Sequence, residues 1–72
     1  MFLNAIIEKD DNGYFAFVPN LSGCVSQGET YEEALSNIKE ASELYLESLA
    51  NDEINAIVSK NTTITPIEVH AS

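Results

Sequence analysis

The sequence predicts an α+β domain in which three strands, one main helix and a last strand follow in the order β-β-β-α-β. Segment 14–18 is apolar at every position, and segment 31–49 carries one apolar and one acidic helical stripe. With 72 residues and 7.9 kDa, the chain has room for one domain, residues 1–72. We therefore expect a mixed four-stranded sheet with the helix on one face.

The first two strands are predicted as an antiparallel hairpin. The first runs from Phe2 to Lys9 and the second from Tyr14 to Val18, and Asn12-Gly13 between them is a strong hairpin signal. Alternation turns Phe15 and Phe17 to one face of the second strand and its other apolar residues to the opposite face. A strand that is apolar on both faces is typical of a central position with cover on both sides.

A corner and a short third strand follow. Pro19 ends the second strand because proline lacks the N–H that a sheet ladder needs. Segment 20–23 then turns the chain, and Cys24 to Gln27 is predicted as the third strand, which completes a meander.

The main helix is predicted from about Tyr31 to Leu49. Thr30 is its expected N-cap, and Glu33 is placed to reach back to the Thr30 N–H in a capping box. At 100° per residue the following side chains share the stripe that should face the sheet: Tyr31, Ala34, Leu35, Ile38, Ala41, Ser42, Tyr45 and Leu49.

The carboxyl-terminal third is predicted to end in a fourth strand. Residues 53–58 form a short helical turn in this interpretation, and residues 59–63 form a polar loop. The strand begins at about Pro66, with Ile67 and Val69 facing the core. A right-handed crossover would place it parallel to the first strand.

The net charge of the chain indicates which classes of molecule it is suited to bind. Twelve Asp and Glu against three Lys and Arg give a net charge of −9 and a pI of about 4.1. Such a chain repels phosphates, so we expect no direct binding of nucleic acid. A basic protein is the favoured partner, and the alternative is an acidic surface that only maintains solubility. No segment is suited to cross a bilayer, so the expected location is the cytoplasm.

The order of turn, corner, cap and helix start resembles the HicB antitoxin family of type II toxin–antitoxin systems. The similarity runs from Phe2 to about Glu47, and Ile67-Glu68-Val69 fits the family's last strand. The residues that carry the resemblance are Gly13-Tyr14-Phe15-Ala16-Phe17-Val18-Pro19-Asn20-Leu21-Ser22-Gly23-Cys24, then Gln27-Gly28-Glu29-Thr30 and Glu32-Glu33-Ala34-Leu35-Ser36-Asn37-Ile38-Lys39-Glu40-Ala41.

The resemblance implies a degenerate ribonuclease H-like domain that is not an enzyme and has no catalytic, metal or cofactor site. Family members bind HicA toxins, which are small basic proteins that cleave mRNA, and neutralise them by covering the active site. Many also carry a carboxyl-terminal DNA-binding module. This chain ends at Ser72 just after the predicted last strand, so it resembles a minimal form without that module.

The candidate partner-binding residues lie on two elements. One helix covers only one face of a sheet, so the face that carries Phe15 and Phe17 requires a second chain, either a toxin or another copy in a homo-oligomer. On the predicted helix, Leu44 lies off the apolar stripe, among acidic residues. The full candidate set is Phe15, Phe17, Glu40, Glu43, Leu44 and Glu47.

Two other functions stay open. A metal-dependent nuclease on the same scaffold would need converging carboxylates, and Glu8 and Glu68 are the pair most able to approach each other. An orphan domain that only self-associates is the second alternative. The lone His70 has no second ligand at metal spacing, and the lone Cys24, which excludes an intramolecular disulfide, is expected to be a packed thiol.

Overall fold

The computed structural model describes residues 1–71 and has three strands followed by two helices. The strands form one antiparallel sheet in the order β1-β2-β3, and the longer helix packs against all three. The α+β class and the central place of the second strand are therefore confirmed. The elements are β1 (Ile6–Asp10), β2 (Gly13–Phe17), β3 (Val25–Gly28), α1 (Tyr31–Glu47) and α2 (Asn51–Val58).

The β1–β2 hairpin closes over two residues. Asp10 pairs with Gly13, and the Asp10 carboxylate accepts a hydrogen bond of 2.8 Å from the Asn12 N–H, which stabilises the turn. Gly13 has φ of +128°, a conformation that other residues rarely adopt. A side chain at Gly13 would also meet the Gly28 carbonyl at 2.8 Å, so both backbone angle and space require glycine.

β1 is shorter at its start than the sequence predicts. Residues 2–5 lie outside the sheet, because β2 ends at Phe17, which pairs with Ile6, and Val18 already belongs to the corner. The Val18 N–H donates to the Cys24 carbonyl at 3.2 Å, toward β3. An amino-terminal segment of five residues is consequently left beside the sheet.

The corner between β2 and β3 supplies part of the core. Leu21 is fully buried there, its N–H donates to the Val18 carbonyl, and its own carbonyl accepts from the Cys24 N–H, both at 3.0 Å. The segment from Pro19 to Gly23 thus turns the chain and also places the Leu21 side chain in the core. The buried core consists of Ala16, Val18, Leu21, Cys24, Ala34 and Ile38.

Helix α1 begins as predicted at a Thr30 N-cap. The Thr30 hydroxyl accepts a hydrogen bond of 3.1 Å from the Glu33 N–H. The Glu33 carboxylate, however, accepts from the Glu29 N–H at 3.4 Å and not from the Thr30 N–H, which corrects the predicted capping box by one residue. The helix ends at Glu47, with Ser48 as C-cap, two residues before the predicted end.

The apolar stripe of α1 is narrower than predicted. Ala34 and Ile38 are buried, whereas Tyr31 and Leu35 are exposed. Tyr31 lies at the start of the helix, where its ring packs edge-on against the Tyr14 ring with the centroids 6.5 Å apart. The narrowing follows from the sheet, because three strands cover less of a helix than the expected four.

Helix α2 is longer than the predicted turn and starts at Asn51. The Ala50 N–H donates to the Glu53 carboxylate at 3.0 Å, which stabilises the first turn. Ile57 packs against the core and attaches α2 to the rest of the domain.

The predicted fourth strand is absent from the described chain. Residues 60–71 have no regular secondary structure, and Ile64, Ile67 and Val69 are exposed. The alternating β-branched residues of this segment favour a strand, but a strand also needs a neighbouring strand to pair with. Pro66 in addition lacks the backbone N–H that would donate to such a partner. The sheet is antiparallel with three strands, and the ribonuclease H-like assignment stays a prediction of the resemblance.

Gly28 sets how closely the end of β3 approaches α1. A Cβ atom there would lie 2.6 Å from the Ala34 nitrogen, and the neighbouring Gln27 carbonyl accepts from the Asn37 amide at 2.9 Å.

We expect Gly28→Ala to lower the free energy of unfolding by about 1–3 kcal/mol, because backbone atoms have to move to admit the methyl group. Denaturant unfolding monitored by circular dichroism measures this loss. The exposed control Gln27→Ala should change stability by less than about 0.5 kcal/mol, and equal stability of both variants would contradict the close approach.

Candidate partner-binding site

The face of the sheet opposite α1 has no cover within the described chain. Strand alternation turns Ala16 toward the helix and its neighbours Phe15 and Phe17 away from it. The strand register then defines the remaining members of this surface, which we call the open sheet face. It consists of Ile6, Glu8 and Asp10 of β1, Phe15 and Phe17 of β2, and Val25 and Gln27 of β3.

An apolar row crosses the open sheet face at the end nearer the corner. Ile6 pairs with Phe17, and Phe17 pairs with Val25, so three apolar side chains lie side by side on three strands. Phe15 extends the row, with its ring centroid 6.0 Å from that of Phe17. Phe15 is 38% exposed and Val25 is 52% exposed. A contiguous apolar surface of this kind is typical of a protein-binding site.

The opposite end of the open sheet face is acidic. Glu8 and Asp10 continue along β1 beyond Ile6, and a shallow cleft of about 670 Å³ opens at the hairpin end. Phe15 lines this cleft together with Asp10, Glu29 and Glu33. An apolar centre therefore meets a carboxylate rim on a single continuous surface, which suits a partner with apolar and basic groups side by side.

The candidate residues of α1 form a second surface. Glu40, Glu43, Leu44 and Glu47 are all exposed, and Leu44 is 58% exposed. No lysine or arginine pairs with them, since the single close contact between a basic and an acidic side chain within residues 1–71 joins His70 to Glu68. Unpaired like charges at helical spacing destabilise a helix slightly, so these glutamates add negative potential and not stability.

The structure does not bring the two candidate groups together. Phe15 and Phe17 lie on one side of the sheet, and α1 lies on the other with its glutamates directed away from the core. A partner bound flat on one of these surfaces therefore faces away from the other. Sequence reasoning missed Ile6 and Val25, because only the strand register shows that they flank Phe17.

The residues that were candidates for catalysis or metal binding do not lie together in one site. Glu68 is exposed, lies outside the sheet and contacts His70 at 3.5 Å, so it is not on a strand next to Glu8 as the nuclease alternative required. Cys24 is a buried free thiol whose sulfur lies 3.7 Å from the Ser42 hydroxyl. Across residues 1–71 no three His, Cys, Asp or Glu side chains gather as a metal ion would need. Over the same residues, no helix has the length and apolar character to cross a membrane.

Known proteins similar to this chain include several called UPF0150 proteins. One from Helicobacter pylori strain J99 is 65% identical over 69 residues, which cover 96% of each chain. One from Synechocystis is 62% identical over 45 residues, covering 61% of this chain and 57% of the relative. One from Thermoplasma acidophilum is 54% identical over 50 residues, covering 68% and 72% respectively. No solved structure gives a significant match.

A family model agrees with the resemblance drawn from the sequence. Residues 3–70 match the model described as a HicB-like antitoxin of bacterial toxin–antitoxin systems. The match spans nearly the whole chain, including the hairpin, the corner, both helices and the carboxyl-terminal segment. This chain therefore belongs to the HicB-like antitoxin family.

Proposed function

We propose that this chain is an antitoxin domain that binds a small basic HicA-type toxin through the open sheet face and blocks cleavage of mRNA by covering the toxin's active site. The observation that carries the proposal is the junction of the Phe15–Phe17–Val25 apolar surface with the carboxylates of the adjoining cleft. The chain acts in this proposal by occlusion and not by catalysis.

The two parts of the open sheet face have different energetic roles. Burial of an aromatic or aliphatic side chain contributes about 1.5–3 kcal/mol, so Phe15, Phe17 and Val25 supply most of the affinity. The carboxylates of Glu8, Asp10 and Glu29 complement basic groups at the rim, which orients the toxin and excludes partners without positive charge.

The acidic face of α1 acts at longer range. Glu40, Glu43 and Glu47 lie on the far side of the domain from the open sheet face. At physiological salt the Debye length is about 8 Å, so charges at that separation contribute little to the bound state. They add to the overall negative potential that attracts a basic protein during encounter.

A self-associating domain is the second candidate, because the same apolar row is suited to a second copy of the chain. Charge argues against that use of the open sheet face. Two copies packed face to face would oppose Glu8 and Asp10 of each chain in a molecule of net charge −9. Like charges facing each other across an interface cost several kcal/mol.

The proposal predicts a short basic reading frame beside this gene, and the test uses its product. Co-expressed with the antitoxin, it should co-elute as one complex, and addition of the antitoxin should stop its cleavage of mRNA. Separate elution at micromolar concentrations, or undiminished cleavage in the presence of excess antitoxin, would refute the proposal.

Charge reversal at the rim of the open sheet face should weaken toxin binding more than an equal charge reversal on α1. Glu8→Lys with Glu29→Lys should weaken toxin binding by about 10-fold or more, because Glu8 pairs with Phe15 and Glu29 lines the same cleft as Phe15. Glu40→Lys with Glu47→Lys makes the same change in net charge and should slow association by only about 3-fold, an effect that disappears at high salt. Surface plasmon resonance at two ionic strengths measures both. The reverse ranking would place the binding site on α1.

A further inference from the structure

The turn of the β1–β2 hairpin holds the one asparagine of this chain that precedes a glycine. Asn12 is followed by Gly13, and every other asparagine precedes a residue with a side chain. Asn12 is exposed at the tip of the hairpin. Its backbone N–H donates to the Asp10 carboxylate at 2.8 Å, and within residues 1–71 its side-chain amide makes no hydrogen bond. The Asn12 amide is therefore accessible to water and to the neighbouring backbone.

We propose that Asn12 deamidates spontaneously and that the isoaspartyl product opens the end of the β1–β2 hairpin. In this reaction the Gly13 backbone nitrogen attacks the carbonyl carbon of the Asn12 side chain. A C–N bond forms, the bond to the amide nitrogen breaks, and ammonia leaves with the proton that the Gly13 nitrogen loses. Water then opens the cyclic imide. Cleavage between the Gly13 nitrogen and the backbone carbonyl carbon gives isoaspartate, and cleavage at the side-chain carbon gives aspartate.

The end of the hairpin gives the Gly13 nitrogen access to the Asn12 side chain. A side chain on the residue after asparagine shields the backbone nitrogen, and glycine has none. Asp10–Gly13 is also the last pair of the β1–β2 ladder, and Asp10, Asp11 and Asn12 are all exposed. Terminal pairs open more readily than pairs inside a sheet, because fewer buried contacts hold them. The reaction thus requires opening of one pair and not unfolding of the domain.

The isoaspartyl product does not fit the closed hairpin. Its backbone runs through the former side chain, which lengthens the link to Gly13 by one carbon atom. Gly13 cannot absorb this change easily, since its φ is +128° and a Cβ atom there would lie 2.8 Å from the Gly28 carbonyl oxygen. The reaction also places a new carboxylate next to Asp10 and Asp11, where like charges repel. Because Asn12 lines the cleft that contains Phe15, the change extends to the open sheet face.

Mass spectrometry of the aged, folded full chain tests the site. After incubation in heavy-oxygen water, Asn12 should take up one heavy oxygen at least about 10-fold faster than Asn37, which precedes Ile38 and donates its amide to the Gln27 carbonyl. Isoaspartate should be the larger product, detected with a protein isoaspartyl methyltransferase. Asn12→Gln keeps an amide but requires a larger ring, so it should stay unmodified.

Four results of this experiment would overturn the proposal. They are conversion of Asn12 no faster than that of Asn37, aspartate without isoaspartate, equal conversion of the Asn12→Gln chain, and conversion only when the chain is unfolded in urea. None of these measurements involves the toxin, so they stand or fall separately from the proposed function.

Hydrogen exchange tests the effect on the hairpin. A chain of 72 residues is accessible to chemical synthesis, so a homogeneous chain with isoaspartate at position 12 can be compared with Asn12→Asp, which has the same charge and an ordinary backbone. Amides of β1 and β2 should exchange at least about 10-fold faster in the isoaspartyl chain, while those of α1 exchange equally in both. Equal exchange of the hairpin amides would refute local opening, and so would an equal acceleration throughout α1.

Discussion

A chain in which Phe15 and Val25 are both replaced by serine is expected to lose most of its toxin affinity and to keep its fold. Phe15 and Val25 are both partly exposed on the open sheet face, so shortening them removes less packing than truncation of a buried core residue would. In the complex the exposed part of each side chain would be buried, and together they contribute about 3–4 kcal/mol. The dissociation constant should therefore rise by about 100-fold to 1,000-fold, mainly through faster dissociation.

Isothermal titration calorimetry against the toxin measures this loss, with Leu44→Ser as the matched control. Leu44 is as exposed as Val25 but lies on the opposite side of the domain, on α1. Its variant should bind with unchanged affinity. If Leu44→Ser weakens binding and the double variant does not, the toxin binds α1 and the open sheet face has another role.

Ile38→Ala is expected to leave most of the isolated chain unfolded. Ile38 is 1% exposed and packs in the core with Ala16, Val18 and Ala34. Truncation of such a residue costs about 2–5 kcal/mol, through lost burial and the cavity that remains. A core of this size rarely supplies more than about 3–5 kcal/mol in total, so the loss is comparable to the whole stability.

Urea unfolding followed by circular dichroism measures the effect, and Leu44→Ala on the same helix is the control. Leu44 projects into solvent, so its removal should change the free energy of unfolding by less than about 0.5 kcal/mol. A folded Ile38→Ala chain with nearly unchanged midpoint would mean that the α1–sheet contact contributes little. The narrow buried stripe of the helix, limited to Ala34 and Ile38, makes this substitution the most sensitive point of the contact.

Local signals predicted the hairpin, the corner and the helix start because each depends on neighbouring residues. Gly13 supplies a backbone angle, Pro19 removes a donor and Thr30 caps a helix whatever the rest of the chain does. The candidate site was predicted in part for the same reason. Alternation along one strand is enough to place Phe15 and Phe17 on a shared face, and helical spacing is enough to place Leu44 among glutamates.

Predictions that depended on distant parts of the chain succeeded less often. Tyr31 and Leu35 lie on the predicted apolar stripe but are exposed, because helical spacing indicates which face meets the sheet and not how much of that face the sheet covers. The last segment has the composition of a strand, but a strand also requires an edge to pair with. Whether the last segment finds such an edge cannot be read from its local sequence pattern.

By itself, the sequence determined the identity and order of the first elements, the acidic character of the molecule and its place among HicB-like antitoxins. The tertiary structure alone decided that Ile6 and Val25 flank Phe17 and that the glutamates of α1 lie on the other side of the domain. It also decided that β1 is an edge strand among residues 1–71. The physical reason is that caps, turns and alternation act over a few residues. Register and surface continuity, in contrast, arise only when distant strands pair.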